Sequence, residues 1–440
     1  MSAEPVAPDV TEQLSPGLRD WMTLERFHLH KPNIFQNTKR DPSFDIRYLP
    51  QHSRPFRLPC YWVPRRRLHV LGAPSSDAMT FVSGPSSDER VLFPIHPSAL
   101  EDFRPWLREV GARDATAEGL WIWALPTSSI RTLLAWPEGS GDRAVFVKTS
   151  VHSAMFRDRR ITRIGVGRAV GLNTLVAQMR ERLPSELHVL SEVFGFSPRH
   201  RLDSGAMLRL VPPEVSDGRT RLAPLFSLTG GDNGRVPLLL AMLERTDATP
   251  VEFVDRLLCA WFAPLWAELT LRHGVILESH GQDLMLALSA DGVPTGDLYY
   301  RDLEGLQIDW ELRRHHGWPT PELPNGWAWR ETYGTWGHIY HDFLWWKWRT
   351  SLFAYLRLVL TEVEETLRQW HERGLVRGPK CAEGELTTLF SHHLFTAVER
   401  LFNVSLGPRY DTLRSLNRFV IALVKLRSLT MHGGRGAAAR

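Results

Sequence analysis

A lysine stands in the middle of an otherwise apolar strand pattern. Residues 143–151 read RAVFVKTSV, and alternation puts Phe146, Lys148 and Ser150 on one face and Val145, Val147, Thr149 and Val151 on the other. An ammonium among such neighbours either reaches water from an edge strand or meets an anion, because an unpaired buried charge is costly. Upstream, Leu120–Leu125 runs into Pro126-Thr127-Ser128-Ser129. Ile130–Trp136 follows, and PEGSGD at 137–142 turns the chain into the lysine strand. Thr127, Ser128, Ser129, Arg131 and Thr132 gather hydroxyls and a guanidinium at one strand entry. These groups suit phosphate or purine contacts; ordinary turn hydroxyls are the plainer reading. Downstream lies a basic run, RDRR, that ends in Arg160.

A second constellation is acidic. Glu278-Ser279-His280-Gly281-Gln282-Asp283 and Arg301-Asp302-Leu303-Glu304-Gly305 flank two extended segments with a turn at 290–295. A turn centred near Gly292 and Val293 sets Asp283 roughly opposite Asp302. Opposed like charges destabilise a hairpin, unless a divalent cation lies between them. Glu278, Asp283 and Asp302 are hard oxygen ligands of the kind Mg²⁺ takes when it also holds phosphates. A solvated acidic hairpin with its register off by one is the alternative.

Other features read both ways. His96, in Phe93-Pro94-Ile95-His96-Pro97, is a structural histidine or a ligand contact. Arg414, Arg418, Lys425 and His432 share one face of a helical pattern at 412–431, a solvated stripe or a surface for a polycarboxylate. GVGRAVG at 165–171 has valine at the third glycine position of G-x-G-x-x-G and follows no strand, so no dinucleotide fold is expected.

Length and composition bound the answer. The 440 residues, 43% hydrophobic and 23% charged, are globular in make-up, with room for two or three domains at about 150 residues each. Cys60, Cys259 and Cys381 lie far apart, which excludes a disulfide framework and C-x-x-C chemistry. No apolar run reaches about 18 residues, so no membrane span is expected. The polar start, MSAEPVAPDVTEQ, is no secretory signal, and the expected location is the cytoplasm. A scattered net charge of +4 predicts neither nucleic-acid nor membrane partners. Residues 61–70 read as one strand and 168–182 as a helix. Val251–Arg272 is an amphipathic helix stopped at Gly274. Helical patterns at 337–373, 384–402 and 412–431 complete a helical C-terminal third. The tryptophans Trp345, Trp346 and Trp348 suit a homodimer face.

The order of these motifs is distinctive: PIHP, TSSIRT, K-x-S with an arginine twelve residues after the lysine, E-x-HGQ-D, RDLEG and VKLRSLTM. It resembles the NRPS-independent siderophore (NIS) synthetases of the IucA/IucC-like family, most specifically in the HGQ element followed by R-D-x-E-G. The resemblance implies an α+β fold shaped as a cupped hand, with antiparallel sheets and a helical C-terminal third. Residues 1–75 would form a reduced thumb-like region, 76–190 a fingers-like nucleotide-binding region, and 191–440 a palm-like region. It also implies an AMP-forming ligase using ATP and Mg²⁺. Such an enzyme adenylates a citrate-like or other carboxylic acid and joins it to an amine or alcohol, as in siderophore and related natural-product biosynthesis.

By position, the resemblance makes Ser128, Ser129, Arg131 and Thr132 the nucleotide turn. Lys148 and Arg160 become the cations on the phosphates and the reacting carboxylate, and His280 stands at the acyl centre. Gln282 and Asp302 would touch ATP, Glu278, Asp283 and Asp302 would hold Mg²⁺, and His96, Arg418 and Lys425 would face the substrate. The chain departs from the family pattern at Ser98 and Ala99, which replace Trp and Gln, at Phe156 in place of threonine, and at Asp283 in place of asparagine. A non-catalytic nucleotide- or carboxylate-binding protein on the same scaffold, or an ATP-grasp-like acyl-phosphate ligase, are the alternatives.

Overall fold

The computed structural model describes residues 10–28, 45–72, 89–151, 163–200, 204–231, 234–318, 348 and 350–403. The lysine strand is central, not peripheral. Strands β1 (Phe56–Arg57), β2 (Cys60–Pro64), β3 (Leu68–Gly72), β4 (Arg90–Pro94) and β5 (Arg113–Asp114) come first. Then follow β6 (Ile122–Pro126), β7 (Thr132–Pro137), β8 (Val145–Thr149), β9 (Leu187–Val189), β10 (Glu192–Pro198) and β11 (Ala206–Arg209). A seven-stranded sheet has the order β1-β6-β7-β8-β11-β10-β3, while β4-β2-β5 form a small separate sheet. Lys148 lies opposite Thr132 on one side and Met207 on the other.

Both faces of β8 are covered. Val145 and Val147 pack with Leu133, Phe194 and Leu208, whereas Phe146 packs with Trp21, Leu134 and Met285. The alternation read from the sequence holds, but with no watered face. The seven-stranded sheet takes strands from each of the three regions expected from the sequence, so they interleave in one layer. The single strand expected over 61–70 is two, split by a 3₁₀ turn at Arg65–Arg67 that follows Pro64.

Strand β12 (Thr220–Pro224) pairs with β14 (Leu284–Ser289), which pairs with β15 (Pro294–Tyr300), and β9 joins β15 in parallel, while the short β13 (Val275–Ile276) pairs with β16 (Gln307–Ile308). The hairpin turns through Gly292 at φ 79°, a left-handed conformation that suits glycine. Its register is Leu284↔Tyr300 and Met285↔Tyr299, and the Arg301 amide donates to the Asp283 carbonyl at 2.9 Å. Asp283 therefore faces Arg301. The expected Asp283–Asp302 pairing is off by one residue: the pair nearest the turn is Leu288↔Pro294, and the irregularity between Leu286 and Leu288 moves the register by two, to Leu284↔Tyr300.

Helix α1 (Pro16–Phe27) begins with Ser15 capping Leu18 and proline at the first turn. The segment 165–171 lies inside the helix Arg163–Met179, in keeping with its rejection as a dinucleotide loop. This helix rests on β10, where a side chain at Gly195 would collide with Val166. The long helix expected at 251–272 runs Pro250–Val254, Asp255–Cys259, Ala260–Ala267 and Glu268–Arg272, with the second and fourth segments π-helical. Proline 264 and the π turns interrupt one path without breaking it. Gly274, at φ 65°, ends it. Trp266 and Trp348 are both fully buried and meet edge to face, with centroids 6.5 Å apart. Trp348 thus belongs to the core and offers no dimer face; Trp345 and Trp346 lie outside the described residues.

Candidate active site

Three chain segments build a site around one cleft of about 370 Å³: two of them line it together with Arg209 of β11, and β8 bonds its lining through Lys148. The first is the turn between β6 and β7. Thr127 closes it with its own hydroxyl, which donates to the carbonyls of Ser129 and Thr132 at 3.1 and 3.0 Å. The Arg131 carbonyl accepts from the Thr149 amide at 2.8 Å, so the turn is tied to the residue beside Lys148. Thr127, Ser129, Arg131 and Thr132 line the cleft. Ser128 does not. Its hydroxyl donates to the buried Glu25 carboxylate at 2.7 Å and accepts from Gln282 Nε2 at 3.1 Å.

The second segment is β8. The Lys148 side chain is 4% exposed, and its Nζ donates to Asp302 Oδ1 at 2.7 Å and to Glu304 Oε2 at 3.2 Å. The ammonium thus meets its anions from the far side of the chain, as a buried charge must.

The third segment brackets the β14–β15 hairpin and carries Glu278, His280, Gln282, Asp283, Arg301, Asp302 and Glu304, all lining the cleft. Asp302 has φ 71°, a left-handed backbone that is uncommon outside glycine and is held here by surrounding bonds. The Gly305 amide and the Tyr300 hydroxyl both donate to its carbonyl, and the next amide, Leu303, donates to the buried Glu192 at 3.2 Å. Burial opposes the Asp302 charge, but Lys148, Arg131 and Arg209 outweigh it and hold the carboxyl well below the usual range. Asp283 moves the other way. Burial, then the charges of Asp302 and Glu278, push it well above the usual range.

His280 is pushed down to about 4, by burial first and then by the Arg301 charge. Its Nδ1 accepts from the Gln282 amide at 3.1 Å, which assigns the ring proton to Nε2. Its ring meets Tyr355 edge to face at 5.1 Å, and the Tyr355 hydroxyl bonds Glu278.

Of the residues singled out in the sequence, Ser129, Arg131, Thr132, Glu278, His280, Gln282, Asp283 and Asp302 line this cleft, and Lys148 bonds the lining residues Asp302 and Glu304. His96 does not. It is fully buried behind Tyr48, takes the Ser98 amide on Nδ1 at 3.2 Å to cap the turn Pro97–Ala99, and is pushed down to about 3 by burial. The structural reading of that histidine is the one observed. Arg160, Arg418, Lys425 and Phe156 lie outside the described residues. Sequence reasoning missed Glu25, Glu192, Arg209 and Tyr355. Arg209 ends a buried apolar strand, lines the cleft and pairs with the fully buried Glu192; a charge among apolar strand neighbours was the available signal. Among the described residues, no three His, Cys, Asp or Glu side chains, Glu278, Asp283 and Asp302 included, are gathered where they could hold a metal ion by themselves.

The fold has solved counterparts. The crystal structure of the petrobactin biosynthesis protein AsbB from Bacillus anthracis matches at TM-score 0.62 and 16% identity, over 92% of this chain and 70% of that one. Aerobactin synthetase IucC from a hypervirulent pathotype of Klebsiella pneumoniae matches at TM-score 0.58 and 15% identity, over 86% of this chain and 66% of that one. ATP-bound aerobactin synthetase IucA from the same pathotype matches at TM-score 0.50 and 17% identity, over 86% and 75%. The chain thus spans just under two thirds of the IucC length. A family model described as a ferric iron reductase FhuF-like transporter matches residues 252–343; it also matches the C-terminal region of the siderophore synthetases. A comparison with curated proteins finds no match. The structural neighbours are NIS synthetases, and the mixed α and β architecture with antiparallel sheets and a helical C-terminal region is theirs. Among the described residues, no helix is long and apolar enough to cross a membrane.

Proposed function

We propose that this chain is an ATP-dependent ligase that adenylates a carboxylic acid and joins it to an amine or hydroxyl. The observation that carries the reading is the 2.7 Å bond from the buried Lys148 to Asp302, which lines a cleft shared with the 127–132 turn and Gln282. In the reaction, a carboxylate oxygen attacks the α-phosphorus of ATP, the α–β bridging bond breaks, and pyrophosphate leaves with its electron pair. The amine or hydroxyl then attacks the acyl carbon, and AMP departs with the carboxylate oxygen.

This chain's residues suit those steps. Ser129, Arg131 and Thr132 would hold the nucleotide through hydroxyl and guanidinium donors. Lys148 and Arg160 would offset the repulsion between a carboxylate and a polyphosphate, and fixed cations of this kind act mainly by positioning and charge stabilisation. With Nδ1 already accepting a bond, His280 offers Nε2–H as a donor to the acyl or phosphoryl oxygen. It is not set up as a base.

The acidic group fits a magnesium ion that arrives with ATP. Asp283 is held from ionising partly by Asp302 and Glu278, and a cation there would relieve that repulsion. Magnesium takes one or two carboxylates plus phosphate oxygens, so no closed cage is required. When bound, the ion supplies neutralisation of phosphate charge.

ATP–pyrophosphate exchange across a panel of carboxylic acids is the test, with AMP as the expected product. Folded protein that exchanges with none of them would refute the reading. Release of ADP would instead indicate an acyl-phosphate ligase, and nucleotide binding without turnover would indicate a binding protein.

A further inference from the structure

We propose that Glu25 is a positioning residue of this site, which locks the 127–132 turn against the 301–305 segment at the spacing the nucleotide needs. The inference rests on the ligase reading for its role, but its geometry stands apart. Glu25 is fully buried on α1 and lines no part of the cleft. Its carboxylate takes the Trp21 indole N–H at 3.1 Å, the Ser128 amide at 3.1 Å, the Ser128 hydroxyl at 2.7 Å and Arg301 Nη1. Those four donors meet the acceptor capacity of an ionised carboxylate.

The bonds close a ring. Arg301 Nε donates to the Gln282 carbonyl at 2.7 Å, and Gln282 Nε2 returns to the Ser128 hydroxyl at 3.1 Å. Three segments remote in sequence are thereby held in one hydrogen-bonded circuit. Thr127 and Ser129, the neighbours of Ser128, line the cleft, as do Gln282 and Arg301.

Stability alone does not call for this arrangement. Apolar side chains of similar volume often replace a buried ion pair with no loss of stability. What apolar packing lacks is direction. Hydrogen bonds of fixed length set the offset between two loops, and an error of about 1 Å at a reacting centre costs on the order of a hundredfold.

The experiment compares wild type with Glu25→Gln and Ser128→Ala, all full length. Amide hydrogen exchange of the ligand-free protein reads the coupling directly. In Glu25→Gln, peptides covering 125–132 and 300–305 are expected to exchange faster together, with β3 and β10 unchanged. Loosening confined to α1 would overturn the proposal. In ATP–pyrophosphate exchange, the KM for ATP is expected to rise about tenfold and kcat/KM to fall by up to about a hundredfold. A folded Glu25→Gln protein within twofold of wild type would also overturn it. Should Glu25→Gln fail to fold, Ser128→Ala removes one hydroxyl and breaks the same ring, and a rise in KM of up to about tenfold is expected; an unchanged KM would overturn the proposal. A wild type without nucleotide activity would refute the ligase reading, while the exchange measurement would still decide the coupling.

Discussion

Replacing Lys148 with methionine keeps the apolar stem and removes the charge. At 2.7 Å and an effective dielectric near 20, the attraction to Asp302 is on the order of 6 kcal/mol before desolvation is counted. Breaking a buried pair by removing one partner costs about 3–5 kcal/mol. Asp302 keeps 25% exposure and a second cation, Arg131, at 3.9 Å, so the expected loss falls at or below that lower end, about 2–3 kcal/mol. The sign with pH follows from Asp302, whose carboxyl is held low in the folded state chiefly by Lys148, against burial. Its contribution is present above the unfolded value of about 3.9 and is lost as pH falls through the folded value. The gap between wild type and Lys148→Met in urea denaturation is therefore widest near neutrality and narrows below about pH 4. In ATP–pyrophosphate exchange, losing one preorganised charge on the reacting group costs about a hundredfold to a thousandfold in kcat. Equal stability gaps at pH 3 and pH 7, or exchange within tenfold of wild type, would refute the reasoning.

Three further outcomes follow from the same geometry. Asp283→Asn removes a carboxyl that burial and two acidic neighbours push upward, a group whose stabilising contribution is lost as pH rises. The variant should melt higher than wild type by about 1 kcal/mol equivalent, with the difference growing from pH 5 to pH 8, and should need more Mg²⁺ for half-maximal exchange; identical melts at both pH values would count against this. His280, pushed down to about 4 by burial and Arg301, should titrate near there in an NMR series on the imidazole Cε1–H, and a midpoint above 6 would contradict its assignment as a neutral donor. Gly305→Ala would set a methyl 2.2 Å from Glu278 Oε2, displacing that side chain from Tyr355. Exchange kinetics should fall about tenfold or more, and wild-type rates would show that Glu278 is not needed where it stands.

The turn residues of both hairpins were legible because proline, glycine and serine clusters punctuate the chain where the sheets bend. The register of β14 against β15 was not. An irregularity at Leu286–Leu288 shifts the pairing, and nothing in the alternating pattern marks it. Lys148 announced that an anion must lie nearby, and Asp302 and Glu304 answer it. Which anion was not legible: the motif order assigned Lys148 to phosphates and the reacting carboxylate, and the partners observed stand 154 and 156 residues away. Helix α1 carried readable signals that were passed over. Ser15-Pro16 is a start signature, and Leu18, Trp21, Met22 and Leu24 form its buried face. A proline- and arginine-rich setting masked that pattern. Glu25 was beyond local reading, because its value lies in Ser128 and Arg301, separated from it by 103 and 276 residues.

The central position of β8 has a consequence for how the polypeptide is made. During synthesis, β6, β7 and β8 emerge as a ready meander long before Asp302 leaves the ribosome. If that meander were to close its core early, it would have to take Lys148 into a dry interior with no counter-ion. The nascent sheet is thereby discouraged from finishing ahead of the hairpin that completes the cleft, and a fragment that stops short of Asp302 should stay open, soluble only with help and prone to self-association.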